Sequence, residues 1–267
     1  MVKKQTIIIV NIGRKCRTGK GCRHVVKRIL KAIKSWLKIK RGKINYYERI
    51  FAGIIFSVDA DNLIKSPGLI MNFLAHAYLS FDNDEVLVGN MISDFVKGKT
   101  QYDFPENIQK GIRLHRMIDA FTDEHPVTKE AKAFFKPAVG LYAGAFMDVV
   151  YDHFLANDSG IFSEVSLQLF AAKTYQTLSV HKTVLPVKFT RVLPYMIEHN
   201  WLFNYRTPLG IQQSFGGIVH RAAYLQSSKK VFLAFEKHYI PLQKSYSNFF
   251  PLLKEFTAHQ LQGLIRL

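Results

Sequence analysis

Residues 111–125 read GIRLHRMIDAFTDEH. Ile112, Leu114, Ile118 and Phe121 recur at the period of an amphipathic helix, while Arg113 and Arg116 mark its wet side. With Ile108 as the centre of the apolar stripe, His115 and Asp119 fall between Ile118 and Ile112, on the side that should pack. They are four residues apart, one turn above each other, so both can reach a single atom. Asp123 and His125 close the segment, and Pro126 ends the helix by disfavouring helical geometry at the residue before it. Taken alone, such a pair reads most simply as a hydrogen bond tying two helices together.

The pair is not alone. AGAFMDVVYDHFLA at 143–156 places Asp148 and Asp152 four apart on one face, which Leu141, Ala145, Val149 and Leu155 share or border. Between Lys136 and Asp158 these two acids are the only formal charges. Burying one unpaired carboxylate costs several kcal/mol, and two together repel. A divalent cation would offset both and accept imidazole as well. Earlier segments add His76, in the apolar run NFLAHAYL, and Asp94, in GNMISDFVKG. The expected metal ligands are therefore His76, Asp94, His115, Asp119, Asp148 and Asp152, with His153 beside them, converging from four helices.

From Met71 onward, helical periodicity is easy to find and strand alternation is not. The spacing predicts helices over about 72–81, 85–96, 106–123, 127–136, 138–157, 163–178, 187–200, 208–227 and 229–264, the last broken near Pro241 and Pro251. GKTQYDFPEN reads as a loop. An all-α domain over 71–267 is expected, without internal repeats.

The first quarter of the chain is different. The whole 267-residue chain carries a formal charge of +17, but residues 1–70 account for +14 of it. RHVVKRILKAIKSWLKIKR at 23–41 has the pattern of a basic amphipathic helix, suited to an anionic membrane or RNA. The preceding TIIIVNIGRKCRTGKG fails as a phosphate loop, because its glycines are one residue too far apart. Residues 1–70 are expected to be a basic extension, disordered or lying upstream of a true start at Met71. With Cys16 and Cys22 both in that extension, the remaining chain has no disulfide framework, and a cytoplasmic location is expected. No stretch reaches the roughly 18 uncharged apolar residues of a membrane span, and no nucleic-acid partner is expected for the helical domain.

MNFLAHAYLSF, GNMISDFVKG, GIRLHRMIDAFTDEHP, DVVYDHFL and WLFNYR, in that order, resemble the acyl carrier protein phosphodiesterase family over 71–267. The resemblance implies a divergent HD-type, metal-dependent phosphohydrolase fold that uses manganese or magnesium. It implies an activity that removes 4′-phosphopantetheine from the serine of holo-acyl carrier protein, an acidic partner. Asp94, His115, Asp119, Asp123, Asp152 and His153 match the family's motifs. Ordinary HD enzymes carry adjacent His and Asp, whereas here Arg116 follows His115 and Asp152 precedes His153. On this reading the metal would activate a water, His115 or His153 would return a proton to the leaving serine, and Lys97 and Arg221 would hold the phosphate. Three other readings compete: an HD-type phosphohydrolase acting on a nucleotide or other small phosphodiester, a helical binding module, and an RNA- or membrane-binding protein built around the extension.

Overall fold

Caps and prolines set where the helices begin. The computed structural model describes residues 73–266, and among them every regular element is helical. The basic extension and its amphipathic stretch lie outside the described residues. Helix α1 (Phe73–Tyr78) turns through Phe81 and Asp82, both left-handed, into α2 (Asp84–Ile92), where Asn83 Oδ1 accepts from the Val86 amide. A 3₁₀ turn at Ser93–Phe95 and another at Gly98–Asp103 lead to α3 (Glu106–Glu124), which contains the stretch that opened the sequence reading. Helices α4 (Pro126–Lys132), α5 (Lys136–Val139) and α6 (Ala143–Ala156) follow. Then come α7 (Glu164–Val180), opened by a Ser163–Ser166 capping box, α8 (Val187–Glu198), α9 (Trp201–Asn204) and α10 (Pro208–Arg221). Helices α11 (Lys229–Lys237) and α12 (Tyr239–Arg266) complete the described chain.

Four expectations change in detail. The loop expected after Val96 contains a 3₁₀ helix. The helix expected over 138–157 is interrupted by Gly140, whose φ of 55° is left-handed and suits a residue without Cβ. That interruption leaves Leu141 fully exposed rather than on the apolar face of α6. The helix expected to reach 227 ends at Arg221, where Ala222 becomes extended. The final break falls at His238, and α12 continues through Pro251.

The core is rich in aromatic rings. Phe135, Phe146, Phe189, Phe215 and Phe249 are fully buried, and Phe146 meets Phe215 edge to face at 5.0 Å. Within this core, α2 and α3 cross unusually closely because Gly89 and Gly111 face each other. A Cβ on Gly89 would collide with the Ile108 carbonyl, and one on Gly111 with the Val86 carbonyl. Both obstacles are backbone and cannot rotate away.

A buried acid fastens α1 to α6. Asp152 is fully buried, and its two carboxylate oxygens accept from the Leu74 and Ala75 amides at 3.0 and 2.8 Å. Those amides belong to the first turn of α1, where no intrahelical acceptor exists. Burial holds the Asp152 carboxyl up at about 8, although both amides pull it back.

These contacts predict two stability losses. Gly89→Ala or Gly111→Ala should each cost about 1–3 kcal/mol by forcing the helices apart. Asp152→Ala should cost about 2–5 kcal/mol, because it strands two buried amides. Urea unfolding of each variant measures both.

Candidate metal centre

Five polar groups meet where α1, the end of α2 and α3 come together. His76 of α1 and His115 of α3 are buried and stack face to face, with ring centroids 3.9 Å apart. Asp119, one turn beyond His115, spans both rings: its Oδ1 lies 3.2 Å from His76 Nε2 and its Oδ2 lies 3.1 Å from His115 Nε2. Asp94, in the 3₁₀ turn after α2, brings Oδ1 to 3.3 Å from the same His115 nitrogen. The fifth group is Asn90, fully buried on α2.

The hydrogen bonds around Asn90 decide which nitrogen of each ring carries its proton. Asn90 Nδ2 donates to the His76 carbonyl at 2.8 Å and to Ser80 Oγ at 3.1 Å. Its Oδ1 therefore faces His76 Nδ1 at 2.8 Å and can only accept, so Nδ1 is the protonated nitrogen. His115 Nδ1 lies 2.8 Å from the Asn90 backbone carbonyl and must likewise donate. That carbonyl is among the last four of α2, which a helix leaves without an internal partner. In their neutral forms both rings then present an Nε2 lone pair to carboxylate oxygens. Lone pair against lone pair is stable only with a cation between them.

The residues themselves show the deficit. His76 Nε2 is buried and unaligned for any hydrogen bond, despite its 3.2 Å approach to Asp119. Burial works to lower the His115 pKa, but hydrogen bonds to Asp119 and Asp94 outweigh it and hold His115 up at about 10. Burial lowers His76, and the neighbouring His115 charge lowers it further. For Asp119, burial works upward, yet the two histidines drive its carboxyl far below the ordinary range. Without a metal, a proton on His115 supplies the required positive charge. His76, His115 and Asp119 can each place one ligand atom within 4.8 Å of the others, and this donor set suits a divalent cation. Each histidine also donates its other ring nitrogen to a fixed acceptor, the usual arrangement behind a metal ligand.

Asp94 and Asp119 lie at the edge of a cavity of about 720 Å³, which is also lined by Asp123, Asp148, Lys132, Lys136 and Arg221. Burial, and then the charges of Asp119 and Asp123, push the Asp148 carboxyl well above the ordinary carboxylate range. Asp123 is exposed at the rim and paired with Lys132 at 2.6 Å. Arg221, at the end of α10, has Nε and Nη2 buried without a hydrogen-bond partner. Leu141, Tyr142 and Ile218 supply apolar wall.

The structure thus gathers His76, His115 and Asp119 around one point, sets Asp94 against His115, and brings Asp148, Asp123 and Arg221 to the adjoining cavity. It does not gather the others. Asp152 is turned to the α1 amides and lines no part of this cavity. His153 lies with Nδ1 2.7 Å from the Tyr205 carbonyl and Nε2 3.0 Å from the Tyr239 hydroxyl, away from the cluster, and burial lowers its pKa. Lys97 is exposed and does not line the cavity. Sequence reasoning passed over Asn90, whose signal was a polar residue inside the apolar run VLVGNMI. It also passed over Lys132 and Lys136, which looked like ordinary surface cations.

The family model described as acyl carrier protein phosphodiesterase matches residues 71–253. An acyl carrier protein phosphodiesterase of Yersinia pestis is 31% identical over 191 residues, covering 71% of this chain and 99% of that protein. One from Enterobacter sp. (strain 638) is 32% identical over 182 residues, covering 68% of this chain and 94% of its own length. One from Photorhabdus laumondii is 30% identical over 186 residues, covering 69% and 94%. No solved structure matches the chain. The chain belongs to the acyl carrier protein phosphodiesterase family, and it is a hydrolase.

Proposed function

We propose that this protein hydrolyses the phosphodiester joining 4′-phosphopantetheine to the serine of holo-acyl carrier protein, releasing the apo protein. The observation that carries the reading is the pair of histidine lone pairs forced toward Asp119, beside a cavity lined by Arg221, whose Nε and Nη2 lack hydrogen-bond partners. His76, His115 and Asp119 would hold a divalent cation, Mn²⁺ or Mg²⁺, with Asp94, 3.3 Å from His115 Nε2, and Asp148, which lines the same cavity, as the acids that would complete its surroundings. When bound, such a cation supplies a nucleophile at neutral pH and polarises the phosphoryl group. Arg221 lines the cavity and has two guanidinium nitrogens without hydrogen-bond partners, so it would donate to a phosphate oxygen there. Lys132 and Lys136 add positive charge at the rim, with Lys132 shared with Asp123. One water is added across the bond between phosphorus and the serine oxygen: the hydroxyl stays on phosphorus and the proton goes to serine.

The divergent HD-type assignment belongs to the same proposal, supported by His and Asp ligands contributed from separate helices. So do the division of the chain at residue 71, the acidic carrier protein as partner and the cytoplasmic location. Among the described residues, no single helix is long and apolar enough to cross a membrane.

Incubating the full chain with Mn²⁺ and holo-carrier protein, and reading the carrier by intact mass, tests the activity. The carrier should lose the mass of phosphopantetheine; an unchanged mass, or hydrolysis of nucleotide diesters alone, overturns the proposal. His115→Ala and Asp119→Ala should each lower kcat/KM by at least about 10³-fold, and chelation should do the same. Arg221→Ala should lower kcat/KM by about 10–100-fold, the scale of one or two lost charge-assisted hydrogen bonds.

Proton and metal compete for His115, which gives a pH prediction. Its folded-state pKa is raised from 6.5 to about 10, so its contribution to stability is fully present below about 6.5 and is lost as pH rises through about 10. Calorimetry of the chelator-treated protein should show the melting temperature falling across that window. Mn²⁺ should flatten the fall by replacing the proton.

A further inference from the structure

We infer that Asn90 is a positioning residue for the metal centre: its side-chain amide sets the proton position on His76 while its backbone carbonyl sets that on His115. One residue thereby makes both rings offer their Nε2 lone pairs to the same point. The inference rests on reading His76, His115 and Asp119 as a metal site, but not on the identity of the substrate.

The amide has no freedom to turn over. Nδ2 is saturated by two acceptors, the His76 carbonyl and Ser80 Oγ, and the Ser80 hydroxyl itself donates to the His76 carbonyl at 2.8 Å. A flipped amide would set its oxygen against that carbonyl and its NH₂ against His76 Nδ1. All three side chains are buried, so no water would relieve the clash. His76 is consequently held from two sides by Asn90, at its ring and at its own backbone. His115 is held by the main chain of the same residue, at a helix end whose partial negative charge favours an N–H donor. The two halves of the device are separable, because substitution at position 90 removes the side chain and leaves the carbonyl.

That separation supplies the test. The full chain is prepared metal-free as the wild type, Asn90→Leu and Asn90→Asp. Ring ¹⁵N shifts are recorded by NMR, and Mn²⁺ affinity is measured by titration calorimetry. In the metal-free wild type the His76 ring should carry its proton on Nδ1, while His115, held up at about 10, should carry protons on both nitrogens at neutral pH. Asn90→Leu keeps the branched shape but offers no acceptor, so His76 alone should move toward the Nε2-protonated form, with His115 unchanged. Mn²⁺ affinity should fall about 10–100-fold, the usual effect of removing the group behind a metal-binding histidine. Asn90→Asp keeps an acceptor on Nδ1, and its second oxygen, facing the His76 carbonyl where Nδ2 stood, is held there as the protonated acid donating to that carbonyl; it should preserve the His76 proton position and stay within about threefold of wild-type affinity. Folding is checked by circular dichroism; if Asn90→Leu does not fold, the Asp variant decides. Folded Asn90→Leu with unchanged His76 shifts and affinity overturns the inference, as does folded Asn90→Asp that loses both. A wild type with the expected proton positions but no Mn²⁺ binding leaves the positioning intact and sinks the metal reading instead.

Discussion

The molecule depends on two helices coming closer than side chains normally allow. At the α2–α3 crossing, Gly89 and Gly111 leave only backbone between the axes, and each faces a carbonyl of the other helix. Helices usually pack 8–10 Å apart with side chains setting the distance; here their absence sets it. The consequence appears just beyond the crossing. The His115 ring, four residues past Gly111, reaches the backbone of Asn90, the residue after Gly89, at 2.8 Å. A wider crossing would put that carbonyl out of range and release the ring. The glycines thus act on the chemistry without touching it.

Electrostatic frustration follows from that geometry. Two imidazoles with their outer nitrogens already donating face two acids with their remaining lone pairs. A fold selected for stability alone would replace such a group with apolar packing. This chain keeps it beside a cavity that also holds Lys132, Lys136 and Arg221. Acids together with cations, among them a guanidinium with two nitrogens lacking hydrogen-bond partners, suit an anionic group brought to a cation.

The two acids of α6 show how much depends on a small rotation. Asp148 and Asp152 are one turn apart, and four residues turn a helix by about 400°, which leaves them about 40° out of line. That offset sends Asp148 into the cavity near Asp119 and Asp152 to the first amides of α1. One is countered only by the charge of Lys132 and the other takes two backbone hydrogen bonds, though both looked equally anomalous as letters. His153, next along the helix, is rotated further and ends on Tyr205 and Tyr239.

Periodicity alone determined that the domain is helical, that His115 points inward and that Asp119, which opens partly to the cavity, lies one turn above it, because these follow from local geometry and residue spacing. The order of five motifs was equally legible, and it carried the family. Only the tertiary structure decided which inward acids share a site. That depends on which helix faces each one, and facing is set by packing between segments distant in the chain. The same holds for Asn90: a lone buried amide in an apolar run has no local meaning until His76, fourteen residues earlier, and His115, twenty-five later, close on it. Lys132 and Arg221 became part of the cavity for the same reason, since a cation's role is defined by what lies opposite it, and sequence spacing does not encode that.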